Sequence, residues 1–179
     1  MILFSLSGSL RAVSSNAATL CAAAMLAPSE MVIDQYDGVG KLPHYNPDLE
    51  NSIPVEVSEL RDRVNRADGL LISCPEYARG IPGSFKNALD WIVGSYAFHG
   101  KPVALFNTSP RAFAAQAALR RVLRMMGGVL VKDACITLPL LGTDLDALSI
   151  SLDAAMSRSI SDALERMSNV ISEQNLEKN

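Results

Sequence analysis

The hydrophobic pattern of the chain alternates short, almost continuously apolar runs with longer amphipathic segments. The apolar runs predict five β-strands, at Ile2–Leu6, Met31–Tyr36, Gly69–Cys74, Pro102–Asn107 and Val129–Ile136. The segments between and after them predict helices at Asn16–Leu26, Pro54–Ala67, Ser84–Trp91, Ala112–Met126 and Leu152–Ile171. The inner stripe of the second helix is Val57, Leu60, Val64 and Ala67, and that of the last is Leu152, Met156, Ile160, Ala163, Met167 and Val170.

Regular alternation of strand and helix predicts an α/β fold, in which helices cover both faces of a parallel sheet. Five strands with right-handed crossovers suit the doubly wound order 2-1-3-4-5. Ligands of such sheets bind outside the carboxyl ends of the strands, here between strands 1 and 3. The sequence shows no repeat, linker or domain boundary, so residues 1–179 are expected to form one domain with a frayed polar tail at 172–179.

Composition and charge narrow the partners of the chain. A net charge of −3 over 179 residues gives no electrostatic basis for binding nucleic acid or an acidic membrane surface. The sequence shows neither the basic region of a signal peptide nor an apolar stretch that would span a bilayer. Cys21, Cys74 and Cys135 have no paired spacing and are interpreted as buried reduced thiols of a cytoplasmic protein. His44 and His99 lie in predicted polar loops, so no metal centre is expected.

The loop after the first predicted strand carries the residue types that bind phosphate. Gly8 permits a tight turn and a close approach of the backbone. Ser9, Ser14 and Asn16 can donate hydrogen bonds to phosphate oxygens, and Arg11 adds a fork of donors with a positive charge. The free N–H groups that open the next helix contribute about half a positive charge.

The same loop also indicates which kind of phosphate is bound. It has neither the Gly-x-x-x-x-Gly-Lys-Ser/Thr pattern of nucleoside triphosphate sites nor the Gly-x-Gly-x-x-Gly pattern of dinucleotide sites. One arginine and a helix dipole come close to balancing a terminal phosphate of about −2, so a monophosphate is favoured. The alternative interpretation is that Ser14 or Ser15 only caps the helix and Arg11 is an ordinary surface charge.

A second unusual loop, Pro75–Gly83, follows the third predicted strand. Its two prolines stiffen the chain, and its two glycines let the backbone lie close to a flat ligand. Tyr77 can supply an aromatic wall for a planar heteroaromatic ring. The helix that follows is expected to place Phe85, Leu89 and Trp91 in the core or an interface and to expose an ion pair of Lys86 and Asp90.

Both loops together resemble a known family. Gly8-Ser9-x-Arg11-x-x-Ser14-x-Asn16, with Pro75-Glu76-Tyr77 and Pro82-Gly83-x-x-Lys86-Asn87-Ala88-x-Asp90-Trp91, closely resembles the motifs of the NADPH-dependent FMN reductases. This family includes chromate and quinone reductases and related azoreductases, and the resemblance extends to about Val131. It implies a flavodoxin-like fold, tightly bound FMN, and reduction of quinones, flavins, chromate or azo compounds with NADPH or NADH. It also implies a homodimer or homotetramer with the flavin near a subunit interface.

The resemblance further implies roles for individual residues. The FMN phosphate would be surrounded by Ser9, Arg11, Ser14 and Asn16, and the isoalloxazine would be lined by Pro75, Glu76, Tyr77 and Ala78, with Ser109 on the third side. No side chain is assigned a catalytic role, because hydride passes to flavin N5 and electrons leave from the same site in a second half-reaction. Two departures concern the acceptor side: Arg111–Ala115 replaces a stretch that is glycine-rich in many members, and Gly80 stands where Ser is common.

Three other functions stay open on the sequence alone. The chain could be an FMN-binding electron carrier without NAD(P)H turnover, a redox-sensing or interaction protein that keeps FMN for stability, or an α/β domain without flavin. Carriers of the flavodoxin type are usually more acidic and use a threonine-rich phosphate loop without arginine, which disfavours the first. The physiological acceptor is not predicted; Arg79 and Arg111 are candidates for contact with the 2′-phosphate of NADPH.

Overall fold

A parallel sheet with helices on both faces organises the chain in the computed structural model, which describes residues 1–177. The strands are β1 (Ile2–Ser7), β2 (Val32–Tyr36), β3 (Gly69–Ser73), β4 (Pro102–Asn107), β5 (Val129–Leu130) and β6 (Ile136–Thr137). The helices are α1 (Ser15–Leu26), α2 (Val55–Arg66), α3 (Gly83–Val93), α4 (Phe113–Met125), α5 (Ala147–Leu152) and α6 (Ala154–Glu177). Short 3-10 turns interrupt the long loop between β2 and α2, at Gly38–Lys41 and Pro47–Asn51.

The order of the strands confirms the predicted doubly wound topology. The sheet runs β2-β1-β3-β4-β5, every pairing is parallel, and β6 pairs with the same strand, β4, as β5 does. β1 lies between β2 and β3, so the chain first moves from β1 to the edge of the sheet at β2. It then returns past β1 to β3 and continues toward the other edge. The carboxyl ends of β1 and β3 therefore form the switch point that the sequence predicts as the ligand site.

Alternating side chains along each strand build two separate cores. In β1, Phe4 and Leu6 pack in the core that contains residues of α2, α3 and α4. Leu3 lies on the other face, in the core that contains residues of α1, α5 and α6. Successive side chains of a strand face opposite sides of the sheet, and a core covers each side. Nearly every residue of the central strands is therefore apolar. All four residues of the stripe predicted for α2 are buried.

The predicted fifth strand, Val129–Ile136, is wrong as a single element. The structure has two two-residue strands, β5 and β6, separated by a 3-10 turn at Lys132–Ala134. Val131 and Ala134 are both buried in the core beside α6. Residues three apart on a straight strand face opposite sides of a sheet, so the turn is what brings these two side chains to the same face.

The last predicted helix, Leu152–Ile171, begins too early and ends too soon. The chain breaks at Asp153, whose carboxylate accepts hydrogen bonds from the N–H groups of Ala155 and Met156 and so caps α6. Leu152, predicted on the inner stripe, ends α5 and is 75% exposed. Helix α6 continues to Glu177, so the tail from 172 to 177 is helical, whereas Lys178 and Asn179 lie outside the described residues.

The cysteines also differ in part from the prediction. All three are free thiols, but only Cys74 is buried, and Cys21 and Cys135 are half-buried. Among residues 1–177, no helix has the length and apolar character needed to cross a bilayer.

Candidate cofactor site

A cavity of about 540 Å³ opens at the carboxyl ends of β1, β3 and β4, where the fold predicts a ligand. It is lined by eight of the nine residues that the resemblance assigns to FMN, namely Ser9, Arg11, Ser14, Asn16, Pro75, Glu76, Tyr77 and Ser109. The ninth, Ala78, is exposed and does not line it. The two loops that the sequence singles out therefore meet in one site, although about sixty residues separate them in the chain.

One end of the cavity is formed by the first turn of α1. Ser14 is the N-cap, and its Oγ accepts a hydrogen bond of 3.3 Å from the N–H of Ala17. The N–H groups of Ser15 and Asn16 have no acceptor among the described residues, as is usual for the first turn of a helix. Arg11 is exposed and forms no ion pair with the described part of the chain. Ser14 therefore caps the helix, and the two free amides and the guanidinium of Arg11 remain at this end of the cavity as groups that could bind an anion.

Asn16 joins the start of α1 to two other strands. The side chain is only 6% exposed, and its Oδ1 accepts hydrogen bonds from Ser73 Oγ at 2.9 Å and Thr108 Oγ1 at 3.3 Å. Ser73 ends β3 and Thr108 directly follows β4. Because Oδ1 is occupied by these two hydroxyls, the Nδ2 group is left as the donor for a ligand in the cavity.

Gly8 directly follows β1 and lies beside the end of the neighbouring strand β3. Its N–H donates to the carbonyl of Ser73 at 2.8 Å, and a Cβ at this position would lie 2.8 Å from Cys74 Sγ. Glycine is therefore needed at this position because of the space that Cys74 occupies, since the φ angle of Gly8 lies outside the left-handed region. Burial raises the pKa of Cys74 to about 12, so the thiol beneath the loop stays protonated near neutral pH.

The other end of the cavity is bordered by the loop after β3. Tyr77 and Gly80 exchange backbone hydrogen bonds of 3.1 and 2.9 Å, which closes a two-residue hairpin. Both central residues, Ala78 and Arg79, have positive φ angles of 49° and 59°. This is the geometry of a type I′ turn, and it places Ala78 at an exposed tip. The assignment of Ala78 to the ring is therefore not supported by its position.

The third side is formed by the segment between β4 and α4. Ser109 Oγ accepts a hydrogen bond of 3.2 Å from the N–H of Arg111, which tightens the turn before the helix. Arg111 and Ala112 line the cavity, so the departure from the family's glycine-rich stretch lies directly in the site. Glu76 Oε2 accepts a hydrogen bond of 2.9 Å from the N–H of Ala115, within the first turn of α4.

One wall was missed in the sequence. Residues 140 to 144 also line the cavity, and Leu140 donates its N–H to the carbonyl of Thr108 at 3.3 Å. Gly142, with a φ of 77°, forms the turn that returns the chain over the site. The signal was available, because this segment follows β6 just as the two recognised loops follow β1 and β3. It was hidden by the placement of the fifth strand at Val129–Ile136.

The helix motif after the second loop has a structural role. Asn87 Nδ2 and Trp91 Nε1 both donate to the carbonyl of Pro43, at 3.0 and 2.8 Å, and Asn87 Oδ1 accepts from the N–H of Tyr45. These bonds fasten the loop between β2 and α2 to α3, outside the cavity. The burial of Phe85, Leu89 and Trp91 confirms the prediction for this helix. Lys86 and Asp90 form the predicted ion pair, which is half-buried rather than exposed.

The fold is that of a flavodoxin-like protein, and one cavity brings together the two loops that the sequence singles out. The chain belongs to the NADPH-dependent FMN reductase family, whose sequence pattern matches residues 1–140. Family membership makes it a flavin-dependent oxidoreductase that uses FMN and NAD(P)H. The matched region ends at Leu140, so it contains both loops and the start of the wall that the sequence analysis missed.

Individual relatives agree with the family assignment. The chain is 41% identical over 130 residues to a 2-hydroxy-1,4-benzoquinone reductase of a Burkholderia species, covering 69% of this chain and 70% of that protein. It is 38% identical over 124 residues to an NAD(P)H-dependent FMN reductase of Pseudomonas aeruginosa, covering 66% of each. The matched region thus spans about two thirds of these curated relatives. The flavoenzyme NAD(P)H:(acceptor) oxidoreductase of Paracoccus denitrificans has a similar structure, with a TM-score of 0.78, 29% identity, and coverage of 96% of this chain and 97% of that one.

The residues of the cavity fit FMN. Its volume lies within the range of about 300–1,000 Å³ that is typical of small-molecule sites. The free amides of α1 and the unpaired guanidinium of Arg11 suit a phosphate at one end. At the other end, Tyr77 is 49% exposed beside the stiff Pro75 and offers an aromatic surface to a flat ring.

Proposed function

We propose that the cavity holds FMN with its phosphate at the start of α1 and its isoalloxazine ring between the loop after β3 and the start of α4. Ser9, Arg11, Ser14 and Asn16 bind the phosphate in this arrangement. Pro75, Glu76, Tyr77 and Ser109 border the ring. The observation that carries the proposal is the meeting of both groups in one cavity, with Arg11, Ser14 and the free amides of α1 together at one end.

The acceptor class that we propose is a small quinone. Two features support it: relatives of this chain are named quinone reductases, and the segments at the ring end carry exposed aromatic and cationic side chains. Tyr77 is half exposed and lines the cavity together with Arg111, and Phe113, which is 66% exposed, directly follows the lining residue Ala112 in the chain. A flat ring with electron-rich oxygens fits such a surface, since the aromatics stack and the guanidinium donates to oxygen.

The chain itself binds and orients the reactants. FMN, when bound, supplies the centre that takes hydride from NAD(P)H and passes electrons to the acceptor. The phosphate cradle fixes one end of the cofactor, and the wall at Pro75–Tyr77 fixes the orientation of the ring. The proposal assigns no side chain of the chain as nucleophile or general acid, because the flavin carries the redox step.

We also propose that the enzyme acts in the cytoplasm as a homodimer or homotetramer. The free thiols are consistent with a reducing compartment. The exposed aromatic residue Phe113, beside an open cavity, supports a neighbouring subunit that covers part of the ring end.

Anaerobic mixing with NADPH tests the redox function. Protein reconstituted with FMN should lose its visible flavin absorbance on addition of NADPH and regain it when a benzoquinone is added. An electron carrier or sensor would keep its flavin colour in NADPH. A protein that takes up no FMN on reconstitution would overturn the cofactor proposal itself.

Replacement of Arg11 tests the orientation of FMN. The Arg11→Ala substitution removes the one guanidinium of the phosphate cradle, and we expect the Kd for FMN to rise by about tenfold or more, since charge-assisted hydrogen bonds contribute about 1.5–3 kcal/mol. Fluorescence quenching of free FMN measures the change. Arg121→Ala, which removes an exposed arginine on α4, is the matched control. Equal FMN affinity of the two variants would contradict the phosphate assignment.

A further inference from the structure

The first turn of α4 has no cap of its own. Its N-cap residue is Ala112, which has no side-chain acceptor, and the turn contains no acidic residue. Glu76, 39 positions earlier in the chain, supplies the missing acceptor through the 2.9 Å bond from the N–H of Ala115. This bond is charge-assisted, and its carboxylate lies at the positive end of the helix dipole.

The same bond connects two walls of the cavity that belong to different strands. Pro75, Glu76 and Tyr77 follow β3, whereas Arg111 and Ala112 follow β4 and precede α4. The strands end side by side, but the segments beyond them leave the sheet and lose its hydrogen bonds. The carboxylate of Glu76 therefore fixes the separation of the two walls at the ring end.

The loop that carries Glu76 needs such an anchor. The next residues form the hairpin whose central positions, Ala78 and Arg79, both have positive φ. Non-glycine residues in this region are strained and persist only where the surrounding structure holds them. Glu76 directly precedes the hairpin, and its bond to α4 restrains the loop from outside.

We propose that Glu76 is a positioning residue, which holds Arg111 and the first turn of α4 at the place where NAD(P)H and the acceptor enter. This positioning role rests on the bond that Oε2 accepts from the N–H of Ala115 and needs no contact between Glu76 and FMN. This inference rests on the proposed function in one respect, namely that NAD(P)H and the acceptor both bind at the ring end of the cavity. The phosphate end is independent of Glu76, because its donors lie on α1 and the loop before it.

Two substitutions separate positioning from mere presence of a charge. Glu76→Ala removes the acceptor, and we expect the KM for NADPH and for benzoquinone to rise at least fivefold, with the Kd for FMN changed by less than threefold. Glu76→Gln keeps an oxygen that accepts from Ala115, and it should return both KM values to within about twofold of the wild type. Glu56→Ala, which removes a carboxylate from the first turn of α2, is the control and should leave the kinetics unchanged.

A readout without substrate completes the test. In ¹H–¹⁵N spectra of the FMN-free protein, the amide proton of Ala115 should shift upfield in Glu76→Ala and stay near its original position in Glu76→Gln. If Glu76→Ala fails to fold, Glu76→Asp, which is one methylene shorter, replaces it in both measurements. Equal impairment by Gln and Ala, or an unchanged Ala115 resonance, would overturn the proposal. Lack of FMN binding by the wild type would instead refute the proposed function and leave the Ala115 result valid.

Discussion

Asn16→Ala is expected to destabilise the protein even without cofactor. The substitution leaves the hydroxyls of Ser73 and Thr108 without their acceptor, and Ser73 is fully buried. A buried donor that loses its partner costs about 1–3 kcal/mol. The Thr108 bond is longer, at 3.3 Å, and its loss is placed at the low end of that range. Water in the cavity can replace part of the lost hydrogen bonding. We therefore expect Asn16→Ala to lower the free energy of unfolding by about 2 kcal/mol in total.

Urea unfolding of the FMN-free protein, followed by circular dichroism, measures this loss. For a chain of this length, 2 kcal/mol corresponds to a fall in Tm of about 4–8 °C. Asn169→Ala, at an exposed position of α6, is the control and should change the free energy of unfolding by less than about 0.5 kcal/mol. A loss no larger than that of the control would refute the role assigned to Asn16.

A double-mutant cycle with Ser73→Ala isolates the bond itself. If the 2.9 Å hydrogen bond is the main cost, Asn16→Ala should destabilise the Ser73→Ala protein by about 1 kcal/mol less than it destabilises the wild type. Additivity of the two substitutions within about 0.3–0.5 kcal/mol would mean that Asn16 stabilises the site by other contacts.

Two further predictions concern stability away from the phosphate cradle. Ala78→Gly should raise the free energy of unfolding by about 1 kcal/mol, because a positive φ is strained for alanine and free of strain for glycine; an unchanged urea midpoint would contradict the turn geometry. Glu50→Gln should destabilise the protein at pH 7, since Arg61 binds both carboxylate oxygens, at 2.8 and 2.9 Å, and lowers the pKa of Glu50. Because the pKa of Glu50 is lowered in the folded state, ionised Glu50 stabilises the protein above pH 4.5, and this stabilisation is lost as the pH falls through the folded-state pKa. The Tm difference from wild type should therefore shrink as the pH is lowered below 4.5. A difference independent of pH would show that the ion pair contributes nothing.

The sequence was sufficient for the sheet because its central strands are continuous apolar runs. β4 has the predicted bounds, and the strand order follows from handedness and the number of crossovers. The meeting of Ser9, Arg11, Ser14 and Asn16 at one cavity could also be predicted, since these residues lie within ten positions of one another. The break between β5 and β6 could not be predicted from the sequence, because the burial of both Val131 and Ala134 against α6 depends on a tertiary contact.

The ring end depends on contacts that no local pattern reveals. The bond from Ala115 to Glu76 spans 39 residues, and the wall at residues 140 to 144 is held to Thr108 from a different part of the chain. Type I′ turns usually contain glycine or asparagine, so the hairpin at Ala78 and Arg79 has no turn signature at its central positions. Its position was therefore predicted only as part of a loop.

This difference between the two ends bears on specificity. The polar side chains at the α1 end come from one short segment and one helix terminus, and Asn16 ties them to the ends of β3 and β4 rather than to the segments beyond those strands. The ring end is assembled from three separate segments, and the departure at Arg111–Ala115 lies in one of them. Substitutions there can change which acceptor reaches the ring without weakening the anchor of the cofactor. Selectivity for the acceptor is therefore expected to reside in the first turn of α4 and in residues 140 to 144, with occupancy by FMN determined at α1.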